Sequence, residues 1–196
     1  MPAATIIGGA LVPIENCYVA IPCEGCDNGL SGSGAEYASN GEFMLRFKVL
    51  PDISDSKTAS YNDETVIGRS SPLKTYSQSD NRTISMQIHM VVSSAEDVEY
   101  NLAAMRAIQS AVYPRKGHNG APFTPPPVCR MKCGRLLTEG AELCVILKSY
   151  SVKFPTETAW DEFSYMPQKF DIDTQWDVVY ISADLPGQER IFISGR

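Results

Sequence analysis

Six cysteines are the most reactive side chains of this 196-residue sequence: Cys17, Cys23, Cys26, Cys129, Cys133 and Cys144. Cys23-Glu24-Gly25-Cys26 is a C-x-x-C pair, and Cys129-Arg130-Met131-Lys132-Cys133 is a C-x-x-x-C pair. Thiolates so spaced bind zinc or an iron–sulfur cluster, or exchange disulfides. Cys23, Cys26, Cys129 and Cys133 are therefore the four residues that could share one metal. About a hundred residues separate the two pairs, unlike the compact spacing of a zinc ribbon. Only a fold that brings them together would make the site. A redox role for Cys23 and Cys26 needs a strand before them and a helix after them. Residues 27–34, directly after the pair, are mostly loop-forming Asp, Asn, Gly and Ser. Cys144 lies in the apolar run 143–147 and reads as a small buried hydrophobe. Disulfides formed after the protein leaves a reducing compartment are the remaining use, and six thiols allow many pairings.

Other reactive patterns are sparse. The chain has two histidines and no H-E-x-x-H, G-x-S-x-G, Walker or G-x-G-x-x-G motif. His89 falls on the polar face of an expected strand and reads as an exposed or interface residue. His118 stands in a glycine-flanked turn, where solvent exposure is the default. Either could join a cysteine and an orienting group in nucleophilic chemistry, but no local pattern selects one. Asp161 with Glu162, and Asp171 with Asp173, could suggest carboxylate pairs. On a strand, the second pair reads more simply as a solvated face that discourages aggregation. Arg106, Arg115 and Lys116 are too few for a nucleic-acid patch. Trp160 lies in a loop and is the available aromatic platform, whereas Trp176 lies on an apolar strand face and reads as core. These absences remove many enzyme classes, and no cofactor is expected.

The elements that position these residues can be read from periodicity. Phe43, Leu45, Phe47 and Val49 alternate, as on a half-buried strand. Ile84, Met86, Ile88 and Met90 alternate with Ser85, Gln87 and His89, the clearest strand of the chain. Ser93 or Ser94 then caps a helix over about 94–113, with Glu96, Asp97 and Glu99 in its first turns. Val98, Leu102, Met105, Ile108, Gln109 and Val112 approximate its apolar stripe. Pro114 ends it, 115–120 is a turn, and Pro125-Pro126-Pro127 leads rigidly into a strand over 128–132. Further strands are expected over 143–147, through Tyr150, Val152 and Phe154, and over 171–180. The last carries Ile172, Thr174, Trp176 and Val178 on one side. The polar stretch 51–82 is too long for a tight hairpin and reads as a functional loop, with a short strand over 64–67. Residues 1–42 read as an extended arm, 43–180 as one β-rich domain and 181–196 as a tail. The class is α+β: a mostly antiparallel curved sheet, barrel or sandwich, with one packed helix.

Composition narrows the partners. The net charge is −6, which argues against wrapping nucleic acid. No apolar run approaches the roughly 18 residues of a membrane helix, so no membrane partner is expected. The first basic residue is Arg46, so the apolar stretch 6–14 lacks the flank of a secretory signal. Synthesis in the cytoplasm is the corresponding expectation.

Three stretches together resemble a known family. The first is Ile67-Gly68-Arg69-Ser70-Ser71-Pro72, with Tyr76 close behind, before the strand that starts near Thr83. The second is the helix and, after it, Pro125-Pro126-Pro127-Val128. The third runs through Glu139-Gly140 to Phe154 and then Asp171-Ile172-Asp173-Thr174. Over 43–180 the chain resembles the tube-fold proteins at the baseplate of contractile phage tails and related injection systems. That resemblance implies a non-enzymatic virion protein, a curved tail-tube-like sheet and a homo-oligomeric ring, six-fold in the family. The ring would link the central hub to the tail tube, as tube initiator or hub adaptor. DNA would pass through its lumen without specific binding. Arg69, Ser70, Pro72 and Tyr76 become candidate assembly contacts, although locally 69–72 reads equally well as a simple turn. The cysteines are not part of the resemblance. A metal- or thiol-dependent protein and a receptor-binding β module remain the alternatives.

Overall fold

The computed structural model describes residues 5–7, 10–12, 17–22, 38–39, 41–65, 67–68, 70–116, 123–137, 142–162 and 165–180. In chain order these form β1 (Thr5–Ile7), β2 (Ala10–Val12), β3 (Cys17–Pro22), β4 (Ala38–Ser39), β5 (Glu42–Arg46), β6 (Asp52–Ser56), β7 (Ala59–Glu64), β8 (Leu73–Ser79), β9 (Thr83–Val91), α1 (Ala95–Val112), β10 (Arg115–Lys116), β11 (Phe123–Thr124), β12 (Cys129–Cys133), β13 (Leu143–Lys153) and β14 (Lys169–Val178). Eight of the strands make one antiparallel sheet, ordered β4-β5-β3-β12-β13-β14-β9-β6. The expected α+β class holds: a mostly antiparallel sheet with one helix. The sheet is curved but open among the described residues, with β4 and β6 at its edges, and so is not a closed barrel.

Period-two alternation makes this sheet one-sided. On β9, Ile84, Met86, Ile88 and Met90 are buried, and on β14 Phe170, Ile172, Thr174, Trp176 and Val178 are buried. Register sets these into rows, with Leu147, Trp176 and Ile84 opposed across three strands. Trp176 is fully buried, and its indole Nε1–H donates to Thr174 Oγ1 at 2.8 Å. Thr174 Oγ1 in turn donates to the Met86 carbonyl at 3.0 Å, so each polar atom in this apolar row has a partner.

Strand β13 joins two stretches expected as separate strands. Leu147 pairs with Trp176 and Ser149 with the next residue, Gln175, leaving Lys148 as one extra residue. The inward set therefore changes parity, from Val145 and Leu147 to Tyr150 and Val152. That is why residues 143–153 do not read as one alternating strand.

Helix α1 begins after Ser94 and packs against β13, β3 and β5. Its expected stripe is displaced. Val98, Leu102, Met105, Gln109 and Val112 are half-buried, whereas Asp97, Asn101, Ala103, Ala104, Ala107, Ile108 and Ala111 form the buried face. Small alanine side chains let the helix sit close to the sheet, and the larger ones flank the contact. The buried Asp97 fixes the first turn. One carboxylate oxygen, Oδ2, accepts from the Ser93 amide at 2.8 Å, the Ser93 hydroxyl at 2.6 Å and the Ser94 amide at 2.9 Å. The other accepts from the Lys48 ammonium. Burial alone would raise its pKa. Donation from Lys48 and Ser93, with the Lys48 charge, outweighs burial and lowers the carboxyl to about 2.

Two further expectations are corrected. Residues 17–22, placed in the extended arm, are β3, a strand in the body of the sheet with Cys17, Val19, Ala20 and Ile21 buried. It is short and lacks polar alternation because Ala20 is buried too, so periodicity does not reveal it. The polar stretch 51–82 is not one long loop. It supplies edge strand β6, then the antiparallel ribbon β7–β8, whose described residues are almost all exposed. The short strand expected over 64–67 is replaced by β7, which ends at Glu64.

Candidate functional site

Strand geometry decides what the cysteines can share. Cys23 and Cys26 lie outside the described residues. Cys129 and Cys133 are both buried on one face of β12, four positions apart. At about 3.4 Å per residue that separates them by roughly 13 Å. Two sulfurs on one zinc lie within about 4.6 Å, twice the Zn–S bond, so this C-x-x-x-C pair cannot hold a single ion. Among the described residues no group of three or more His, Cys, Asp or Glu side chains converges as a metal site. Cys133 instead faces Cys17, its opposite number across β12 and β3, with the two sulfurs 2.9 Å apart. Cys144, expected to be buried, is exposed. Its neighbours Leu143 and Val145 take the inward parity of a strand covered on one side, which turns Cys144 outward.

The β7–β8 ribbon carries the candidate contacts. Arg69 lies outside the described residues. Ser70 and Pro72, near the tip, and Tyr76, on β8, were the other three. Ser70 and Pro72 are exposed, and the Tyr76 ring is 59% exposed. Tyr76 meets Tyr61 edge-on, ring centroids 5.8 Å apart, and its hydroxyl donates to Ser79 Oγ at 2.8 Å. Ile67 and Leu73 expose apolar side chains beside them. At the base the Asp80 amide donates to the Thr58 carbonyl at 2.9 Å. Thr58 Oγ1 donates to Asp80 Oδ2 at 2.8 Å, pinning the two ends together.

The sheet face opposite the buried one is polar. A groove of about 750 Å³ crosses β6, β9, β14 and β13. Its polar lining includes Ser54, Ser85, Gln87, Ser151, Asp173 and Gln175, and among the described residues no Lys or Arg lines it. The acids that suggested a cation site already face basic side chains: Asp173 pairs with Lys153 at 2.5 Å and Asp171 with His89 Nδ1 at 2.7 Å. His89 is less open than expected, with an 18% exposed side chain, because Asp52 also approaches its Nε2 at 3.4 Å. Arg82 grips Asp55 of the edge strand at 2.8 and 3.0 Å and donates to the Leu137 carbonyl at 3.2 Å. The hydrogen bond to Asp55 raises its already high pKa. Across the sheet Arg130 bridges Glu42 and Glu142, and Tyr18 donates to Glu142 at 2.6 Å. His118 lies outside the described residues.

At the start of β14 a turn presents aromatics. Trp160 is exposed, as expected of the candidate platform, with its ring 6.5 Å from that of Phe154 and its Nε1–H donating to the Pro155 carbonyl at 3.2 Å. Tyr165 is 80% exposed, at a left-handed φ of 51°. Sequence reasoning found Trp160 but missed Tyr165, because backbone handedness leaves no mark on a tyrosine.

The fold and these surfaces define a class: an open antiparallel sheet with one helix against its buried face, a groove of mixed lining (Ile53, Met86 and Tyr150 beside its polar residues) without described Lys or Arg, and an exposed ribbon. No protein-family model matches the chain, and no curated protein matches it.

Proposed function

We propose that this chain is a structural ring subunit of a contractile phage-tail baseplate, joining the central hub to the tail tube. The polar sheet face carries the reading. No described Lys or Arg lines its groove, and the lysines beside it are paired with acids, Lys153 with Asp173 and Lys148 with Asp177, so DNA phosphates sliding past it would meet few unpaired cations to hold them. A net charge of −6 adds to that. Edge strand β6 has a partner on one side alone among the described residues, and ring closure would cover such an edge. The ribbon, with Ser70, Pro72 and the apolar Ile67 at or near its tip and Tyr76 midway along it, supplies a projecting contact for a neighbouring ring. The partners are then copies of this chain, tube, hub and baseplate proteins, with the virion as its location.

The test is native mass spectrometry of the purified chain together with imaging of the assembled particle. Rings, six-fold in the family resembled, and density between hub and tube are expected. A chain that stays monomeric and is absent from purified particles would overturn the reading. Excising residues 59–79 sharpens the test, since Thr58 and Asp80 are already bonded at the base. The shortened chain is expected to keep its circular dichroism and to melt within about 3 °C of the parent, because the ribbon buries little. It should lose incorporation into tails. Normal incorporation would remove the ribbon from the contact.

A second reading has one observation in its favour. Phe154 and Trp160 pack together and are exposed, and Tyr165 is exposed on the turn that follows Trp160, the kind of surface a receptor- or carbohydrate-binding module uses. Glycan-array binding abolished by Trp160→Ala would favour it over the ring.

A further inference from the structure

We propose that Cys17 and Cys133 are an oxidation site, closing an intrachain disulfide between β3 and β12 when the protein meets a small-molecule disulfide such as oxidised glutathione. Register carries the inference. The two residues are direct partners in an antiparallel ladder, Cys17 opposite Cys133, beyond Tyr18 opposite Lys132. Direct partners have Cα atoms about 4.5–5.5 Å apart, inside the window of about 4.4–6.8 Å that a disulfide spans. The sulfurs are 2.9 Å apart, under an ångström more than a bond of about 2.05 Å. Rotation about the side-chain bonds covers that gap with the backbone held.

The described alternatives are excluded by placement. Cys129 lies about 13 Å away along the same strand. Cys144 opposes Arg130 and points to the exposed face. The pair is buried, with Cys17 2% and Cys133 3% exposed, but it closes the β3–β12 ladder, and a turn at Gly134, with φ of 54°, comes directly after Cys133. Ladder ends open at low free energy, which admits the oxidant.

The chemistry balances. Cys133 is the first nucleophile: the hydrogen bond between the two sulfurs lowers the pKa of Cys133 and favours its thiolate, while the same bond, together with burial, raises the pKa of Cys17. The Cys133 thiolate attacks one sulfur of oxidised glutathione, breaks its S–S bond and releases a glutathione thiolate, which takes the proton Cys133 lost. Cys17 then gives up its proton and attacks the Cys133 sulfur of the mixed disulfide. The second glutathione leaves and takes that proton. Two protein thiols lose two electrons and one glutathione disulfide gains them.

The bond ties residues 116 positions apart. By restricting the unfolded chain over so long a loop it should raise the melting temperature by about 10 °C, reversed by dithiothreitol. The experiment incubates the full chain with oxidised glutathione, blocks remaining thiols in urea with iodoacetamide and maps the peptides. One peptide pair joined through Cys17 and Cys133 is expected. A variant with Cys23→Ser, Cys26→Ser, Cys129→Ser and Cys144→Ser should lose the mass of two hydrogens. If that variant does not fold, the wild-type map decides alone. Alkylated Cys17 and Cys133, a persistent glutathione adduct at Cys133, or Cys133 joined to another cysteine would each overturn the assignment.

Discussion

Trp176→Ala is expected to lower stability by about 3–5 kcal/mol, the cost of emptying a buried aromatic site. Trp176 is fully buried in one row with Leu147 and Ile84. For a chain of this size that corresponds to a fall in melting temperature of roughly 10 °C or more. The hydrogen-bond relay behind the ring gives the prediction a second, finer test. Thr174→Val leaves the buried indole N–H without its acceptor, a loss of about 1–3 kcal/mol. In a Trp176→Phe background no N–H remains to be stranded, so the same Thr174→Val change should cost less. Equal costs in both backgrounds, measured by urea unfolding, would show that the relay is not what Thr174 contributes.

Asp97→Asn should cost about 3 kcal/mol at neutral pH, because it strips the ion-pair partner from Lys48, whose side chain is 17% exposed. It also weakens the acceptor for the Ser93 and Ser94 amides at the helix start. The pH dependence separates this from a mere packing change. The Asp97 carboxyl lies at about 2 in the fold against an ordinary 3.8. A depressed carboxyl contributes stability that is complete above the unfolded value and is lost as pH falls through the folded one. The window therefore runs from about pH 4 down to about pH 2, and the contribution is about 2 kcal/mol. Urea midpoints for parent and variant should differ most at pH 7 and converge by about that amount at pH 2. A gap independent of pH would refute the charge argument. Adding Lys48→Met to Asp97→Asn should recover part of the loss.

These two residues also show where sequence reading succeeds. Trp176 and the Ile84 to Met90 series sit on strands with one buried face, so alternation exposes them. Ser94 and the acids after it mark the helix start by local chemistry alone. The failures have physical causes of their own. The ribbon β7–β8 has solvent on both faces, and with no buried side there is no alternation to read. The helix contact is made by alanines, which hydrophobic-stripe reasoning underweights against Leu102 and Met105. The Cys17–Cys133 pairing depends on the register between strands 116 positions apart, and short-range motifs such as C-x-x-C and C-x-x-x-C point elsewhere. The same limit applies to the groove, whose lining comes from four strands that meet only in the folded sheet.

The extra residue in β13 has a consequence for how this gene can change length. Leu147 and Ser149 already stand opposite consecutive residues of β14, so loss of the Lys148 codon would leave every other side chain of the strand on its present face. Loss of any codon from 143–147 would instead invert part of the strand, unless the bulge slid along to absorb it. The sheet therefore holds a spare residue, and deletions that survive in β13 should cluster around it.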